Sequence, residues 1–277
     1  MKSLTKYIQE KLVIKKNKTR DYKYFPKTKR ELKDIIKKRI ESEGNEVDLN
    51  DIDTSKITDM SDLFEDLEFN GNISEWDVSN VKDMGYMFFG HESFNQDISN
   101  WDVSKVTNMR AMFYGCASFN QDISEWNVSN VEDMDSMFYG CENFNQDISR
   151  WDVSKVRDMF RMFYNCKNFN QNISRWNVSA ATSMNYMFVG CELFNQDISH
   201  WDVSNIPSMR SMFKGCKSFN QDISNWNVSN VTNMESMFKG CENFNQNISR
   251  WDVSKVKYRV DMFEDCPIQE KYKPKFK

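Results

Sequence analysis

Residues 94–118 read F-N-Q-D-I-S-N-W-D-V-S-K-V-T-N-M-R-A-M-F-Y-G-C-A-S, and the same phrase begins again at Phe119. The eight tryptophans, Trp76, Trp101, Trp126, Trp151, Trp176, Trp201, Trp226 and Trp251, each follow the last by 25 residues. The seven cysteines, from Cys116 to Cys266, keep the same step, with His91 in their place one unit earlier. A period above about 20 residues dictates architecture, because one short unit cannot bury its own apolar face and must stack on its neighbours. Eight such units over residues 69–268 predict a solenoid.

The apolar spacing changes inside each unit. Alternation from Asn100 to Val103 turns Trp101 and Val103 inward and Asn100 and Asp102 outward, which predicts a short half-buried parallel strand, with a bend at Ile98. From Val106 the spacing becomes Val106, Met109, Met112, Phe113 and Cys116, the face of a helix of about two to three turns. Ser104 stands where its N-cap belongs. The column Gly90, Gly115, Gly140, Gly190, Gly215 and Gly240, with Asn165 and Asp265 as exceptions, predicts positive φ after the last turn. Pro207 falls in the first helical turn, where a missing N–H costs little. The expected fold class is thus an α/β solenoid with one short parallel strand and one short helix per coil. Stacked columns predict ladders of Trp, Met, Cys and Asn, the Asn amides pairing with backbone groups of adjoining coils.

The pattern F-N-Q-D-I-S-x-W-D-V-S-N-V-T-N-M-x-x-M-F-x-x-C resembles the 25-residue repeat of BspA-like leucine-rich repeat proteins, found largely on bacterial surfaces, over about residues 49–268. The resemblance implies a leucine-rich-repeat-like, right-handed curved array and a role in adhesion or partner binding. It implies no catalytic residues. One departure from the surface members is the lack of a recognisable export signal.

The ends read as caps. Leu49, Ile52, Ile57, Met60, Leu63 and Phe64 follow the repeat columns, so residues 47–68 form a degenerate first coil. Before it, Thr28 and Glu31 make a capping box for a helix with Leu32, Ile35, Ile36 and Ile40 on one face, stopping near Gly44 within a capping segment over 26–46. Arg259, in a methionine column, points to a last unit that faces water. Residues 1–25 read as a basic leader without fixed structure, and 269–277 as a basic tail.

Mean hydropathy of -0.73 and 28% charged residues exclude a chain that spans a membrane by helices. Residues 1–40 carry 15 Lys/Arg against 4 Asp/Glu, so the net charge of -4 divides into +11 there and -15 in the remainder. The basic arm suggests either nucleic-acid or anionic-surface binding or a solvated cap, and an acidic array would repel phosphate backbones. Residues 1–10 lack the apolar stretch of a secretory signal. They resemble the short head-targeting leaders of internal capsid proteins of some large tailed phages, with Ile8-Gln9-Glu10 matching the cleavage site. The expected location is therefore cytoplasmic or phage-associated, with the cell surface reached only by another export route.

No nucleophile and base pair, phosphate loop or metal-ligand set stands apart from the repeat, so no catalytic residue, metal or cofactor is expected. The cysteine ladder reads as buried reduced thiols, with stacked disulfides and a soft-metal strip as alternatives. What varies between units marks what they present. The outward column beside the tryptophans runs Glu75, Asn100, Glu125, Arg150, Arg175, His200, Asn225 and Arg250, from acidic to basic. A second outward column includes Asp102, Asp152 and Asp202. Together they predict a polar strip that binds another protein or an extended polymer, presented by a monomer. A further variable column runs Phe89, Tyr114, Tyr139, Tyr164, Val189, Lys214 and Lys239. The competing expectation is an accessory protein that binds nucleic acid or a phage capsid through its basic arm.

Overall fold

The computed structural model describes residues 21–276. The leader's resemblance to a capsid-targeting peptide, and the composition of residues 1–20, lie outside the described residues. Residues 21–25, grouped with that leader by composition, belong to the fold: Tyr24 forms a parallel bridge with Ile52, and Asp53 N–H donates to the Tyr24 carbonyl at 2.9 Å.

Helix α1, Lys29–Glu43, opens where the Thr28 hydroxyl accepts from Glu31 N–H at 3.2 Å and the Glu31 carboxylate accepts from Lys27 N–H. It ends at Gly44, at φ 91°, with the Gly44 N–H on the Ile40 carbonyl. Leu32 and Ile36 are fully buried in one core with Leu49, Ile52, Leu63 and Phe64. Arg39 ties the helix to the first coil through both oxygens of Asp51, at 2.9 and 3.1 Å.

Beyond α1 the units are built from turns. In residues 98–119 the N–H groups of Trp101, Val106, Met112, Tyr114, Cys116 and Phe119 each donate to the carbonyl three residues back. Turns therefore stand where the Val106-to-Cys116 spacing predicts a helix, and α1 is the only α-helix among the described residues. The reason lies in the intervening donors. Met109, Ala111, Phe113 and Gly115 N–H donate to the carbonyls of Asp133, Asp135, Met137 and Tyr139 in the next unit, at 2.6 to 3.0 Å. An α-helix directs every N–H along its own axis; here alternate N–H groups point to the neighbouring unit, which a helix cannot do. Ala111 holds φ 50° and Gly115 φ 76°, and each is the third residue of a turn, where positive φ gives a type II bend.

The expected strand is displaced in the same way. Trp101 and Val103 are buried and Asn100 and Asp102 exposed, but the chain there turns instead of pairing. The parallel bridges fall further on, joining Asp83 to Asn108, Asn108 to Asp133 and so along the array. Ser104 caps no helix; its N–H donates to Asp102 Oδ1, an Asx turn that begins the bend toward Val106. The series of bridges skips from Asp158–Ser183 to Ser208–Asn233. The residue before Ser208 is Pro207, which has no N–H to match the bond from Thr107 to the Lys82 carbonyl, so proline here interrupts inter-unit pairing instead of opening a helix.

Side chains stack along the same direction. Trp151, Trp176 and Trp201 lie with ring centroids 6.5 Å apart and within 2° of parallel. Two phenylalanine columns interleave: Phe113 and Phe138 are 5.7 Å apart, and Phe119 sits 4.0 Å from Phe113. The polar atoms of the repeated core columns reach an adjacent unit's backbone. Trp126 Nε1 donates to the Ile98 carbonyl, and Asn95 Oδ1 accepts from Asn120 N–H at 2.9 Å, the acceptor half of the expected asparagine ladder.

The glycine column yields a direct test. At Gly215, φ is +74°. Gly215→Ala should cost about 1–2 kcal/mol in urea unfolding, and Gly215→Asn less, since Asn165 already holds φ 56° in that column.

Candidate partner-binding surface

Seven members of the predicted strip, Asn100, Glu125, Arg150, Arg175, His200, Asn225 and Arg250, are exposed, while Glu75 is half-buried. Arg150 and Glu125 pair across units at 3.5 Å, both about four-fifths exposed. Arg150 and Arg175 also line a shallow cavity of about 640 Å³ with Asp147, Asp152 and Asn177. The aspartates beside them have a local task. Asp102, Asp152 and Asp202 Oδ1 accept from the N–H of Ser104, Ser154 and Ser204 at 3.0 to 3.1 Å. Contacts from Ser154 and Ser204 hold the Asp152 and Asp202 carboxyls below the ordinary range. These aspartates shape the bend and leave the neighbouring column to carry the variation.

The aromatic column is a continuous stack. Phe89, Tyr114, Tyr139 and Tyr164 follow one another at 4.5, 4.2 and 4.5 Å, so their faces cover each other and their edges face outward. Next to it lies a cluster that the pattern of core columns did not single out. Arg110 donates from Nε to Tyr86 Oη at 2.7 Å and its Nη2 meets Asp135 Oδ2 at 2.7 Å; Asp135, nearly fully buried, also accepts from Ser136 Oγ at 2.6 Å. Arg161 lies over Phe160 at 4.6 Å and Tyr186 at 5.4 Å, and its Nε is buried with no partner among the described residues. The available signal was variation: this column runs Gly85, Arg110, Asp135, Phe160, Asn185, Arg210 and Glu235, as diverse as the strip.

The thiols are held as donors. Cys141, Cys166 and Cys191 Sγ reach the carbonyls of Phe113, Phe138 and Phe163 at 2.9 to 3.0 Å. All seven cysteines are free, and six are buried. Burial pushes these six thiols well up from the ordinary range. His91, in the cysteine slot, places Nε2 at 2.6 Å from the Leu67 carbonyl and Nδ1 at 3.1 Å from that of Phe89. Among the described residues no three His, Cys, Asp or Glu side chains converge to hold a metal ion. Nor, among them, is any helix long and apolar enough to cross a membrane.

These columns match a known repeat family. The family model described as "Mycoplasma protein of unknown function, DUF285" matches residues 31–142, 98–199 and 182–273, three overlapping stretches that take in most of the chain, and the chain belongs to that family. No curated protein matches it.

Two predictions follow from this chemistry. In the native protein, half-buried Cys266 should react first with a thiol reagent, and the other six should react only as fast as the fold opens, as measured by absorbance stopped at intervals. Asp133 can be tested by charge removal. Burial, reinforced by Asp158 of the next unit, raises its carboxyl above the ordinary range against the pull of Asp135 N–H. A raised folded-state value means that ionisation at neutral pH opposes folding, and the penalty fades as acid protonates the group. Asp133→Asn should therefore stabilise the fold by about 0.5 kcal/mol at pH 7, and the gain should close on acidification. Asn108 and Asn233 already make the same turn.

Proposed function

We propose that this chain is a non-enzymatic, protein-binding or adhesion-type scaffold, a leucine-rich-repeat-like solenoid of the BspA-like kind whose fixed columns build a frame and whose variable columns select a partner. The observation that carries this reading is the contrast within a single unit. Trp101, Val103 and their counterparts are buried and repeat almost without change. The neighbouring column from Asn100 to Arg250 is exposed and changes identity and charge from unit to unit. An extended strip of that kind suits an elongated protein or polymer, which it would meet at several units at once. The basic end, Arg150, Arg175 and Arg250, would select acidic features through charge-assisted hydrogen bonds. The scaffold is read as a monomer, since the strip is complete in one chain.

The supporting chemistry is the engagement of the repeated polar groups. Indoles, thiols, asparagines and aspartates of the frame all serve backbone groups, so what differs from unit to unit on the surface is carried by the variable columns. Affinity capture from host extract with the full chain, at low and high salt, tests the reading. The same protein should be retained at both salts. Arg150→Glu, Arg175→Glu and Arg250→Glu together should weaken its capture about tenfold or more, with thermal unfolding unchanged. Undiminished capture by the triple variant would remove the strip from recognition. Capture of nucleic acid that salt releases would instead move function to the basic residues 1–40.

A further inference from the structure

The last unit presents an edge unlike any other. In interior units the N–H groups at the positions of Met109, Ala111, Phe113 and Gly115 donate to the next unit, with Met184, beside the interrupted bridge at Pro207, the one exception. In the last unit these positions are Arg259, Asp261, Phe263 and Asp265. After Cys266 the chain crosses to the other side of the coil, where Gln269 N–H donates to Asn245 Oδ1 and Ile248 N–H to the Tyr272 carbonyl. The tail then packs beside the turn run, with Phe276 against the Arg259 guanidinium at 4.7 Å and Lys273 Nζ 5.5 Å from the Phe263 ring, yet none of the run's four N–H groups finds an acceptor among the described residues. Beside them Tyr258 is 59% and Val260 69% exposed.

This edge offers donors only. The carbonyls of Tyr258, Val260, Met262 and Glu264 are taken by Met234, Ser236, Phe238 and Gly240, and those of Arg259, Asp261 and Phe263 by their own turns. A second copy cannot pair with it two-fold, because donors would face donors. Head-to-tail stacking is closed as well, because the opposite edge of the first coil lies under α1, with Lys33 Nζ on the Asp62 carbonyl and Lys29 Nζ on Ser61 Oγ. The occupant must bring acceptors of its own.

The surrounding charge defines its chemistry. A cavity of about 640 Å³ between the last unit and the tail is lined by Arg259, Lys271, Lys273 and Lys275, with Phe263 and Phe276. The acids near it are largely answered: Glu270 pairs with Lys273, and Asp261 and Glu264 with Lys239, while Asp265 closes the far end of the run. Arg259, Lys271 and Lys275 are exposed and make no ion pair among the described residues.

We propose that this edge docks an extended acidic segment of a partner protein. Main-chain carbonyls of the segment accept from the N–H groups of Arg259, Asp261, Phe263 and Asp265, as added strands do at an open edge, and its carboxylates meet Arg259, Lys271 and Lys275. The inference rests on the protein-binding reading but uses none of the strip residues.

The test titrates the isotope-labelled full chain with a blocked peptide of alternating glutamate and valine, and with its lysine and valine counterpart. The acidic peptide should shift the amide signals of Arg259, Asp261, Phe263 and Asp265 saturably, and the basic one should not. Arg259→Glu, Lys271→Glu and Lys275→Glu together should weaken binding about tenfold or more, whereas the triple change at Arg150, Arg175 and Arg250 should leave it intact. No saturable shift at these amides, equal binding of both peptides, or affinity unchanged by the edge variant would overturn the proposal. Loss through the strip variant alone would overturn it too, while supporting the strip.

Discussion

Alternate direction of the backbone N–H groups between Met109 and Cys116 is the constraint on which the rest of the molecule depends. Every second donor closes a turn in its own unit and every other donor reaches the next unit. A unit alone would leave half of this run unpaired, and buried unpaired amides each cost on the order of 1–3 kcal/mol. Stacking is thus imposed by the backbone as well as by the apolar face. The neighbour must offer carbonyls at the same intervals, so the same turn run recurs every 25 residues.

Side chains repeat the logic of the backbone. Trp126 Nε1 on the Ile98 carbonyl, Cys166 Sγ on that of Phe138, and Asn120 Oδ1 on Asn145 N–H are three chemistries with one use, the satisfaction of polar groups in adjacent units. Their fixed identity follows from that use and needs no reactive role. The thiols show it most plainly: the burial that holds them as donors also disfavours the thiolate that reactivity requires. The interleaved phenylalanines supply the apolar filling, and their parallel rings are a consequence of the same 25-residue step.

The sequence made the period, the columns and the direction of each side chain readable, because burial obeys spacing whatever the local backbone does. The backbone itself was less readable. Val106, Met109, Met112, Phe113 and Cys116 satisfy a helix, yet overlapping three-residue turns bring the same side chains to one side. The position that separates the two is the column of Ala111, Ser136, Arg161, Tyr186 and Ser211, held at φ 50° to 62° with no glycine to announce it. Such conformations persist where the surroundings over-determine them, and here the inter-unit hydrogen bonds do so. The surface was legible in part for a related reason. Exposure of Arg150 and Arg175 follows from alternation, whereas the contacts of Arg110 with Tyr86 and Asp135 join three units and depend on the turn geometry.

Charges on the variable columns are coupled at the repeat distance. Arg150 meets Glu125, Lys167 meets Glu142, Arg210 meets Glu235 and Lys217 meets Glu192, each pair one unit apart. Exposed pairs of this sort contribute about 0–1 kcal/mol, so they stabilise the frame little and can change without unfolding it. A change in one unit nevertheless alters what the adjacent unit presents, because the partner of its charge is removed or reversed. The surface is therefore varied as a pattern across neighbouring units, while the turn run beneath, with its obligatory acceptors, has no comparable freedom.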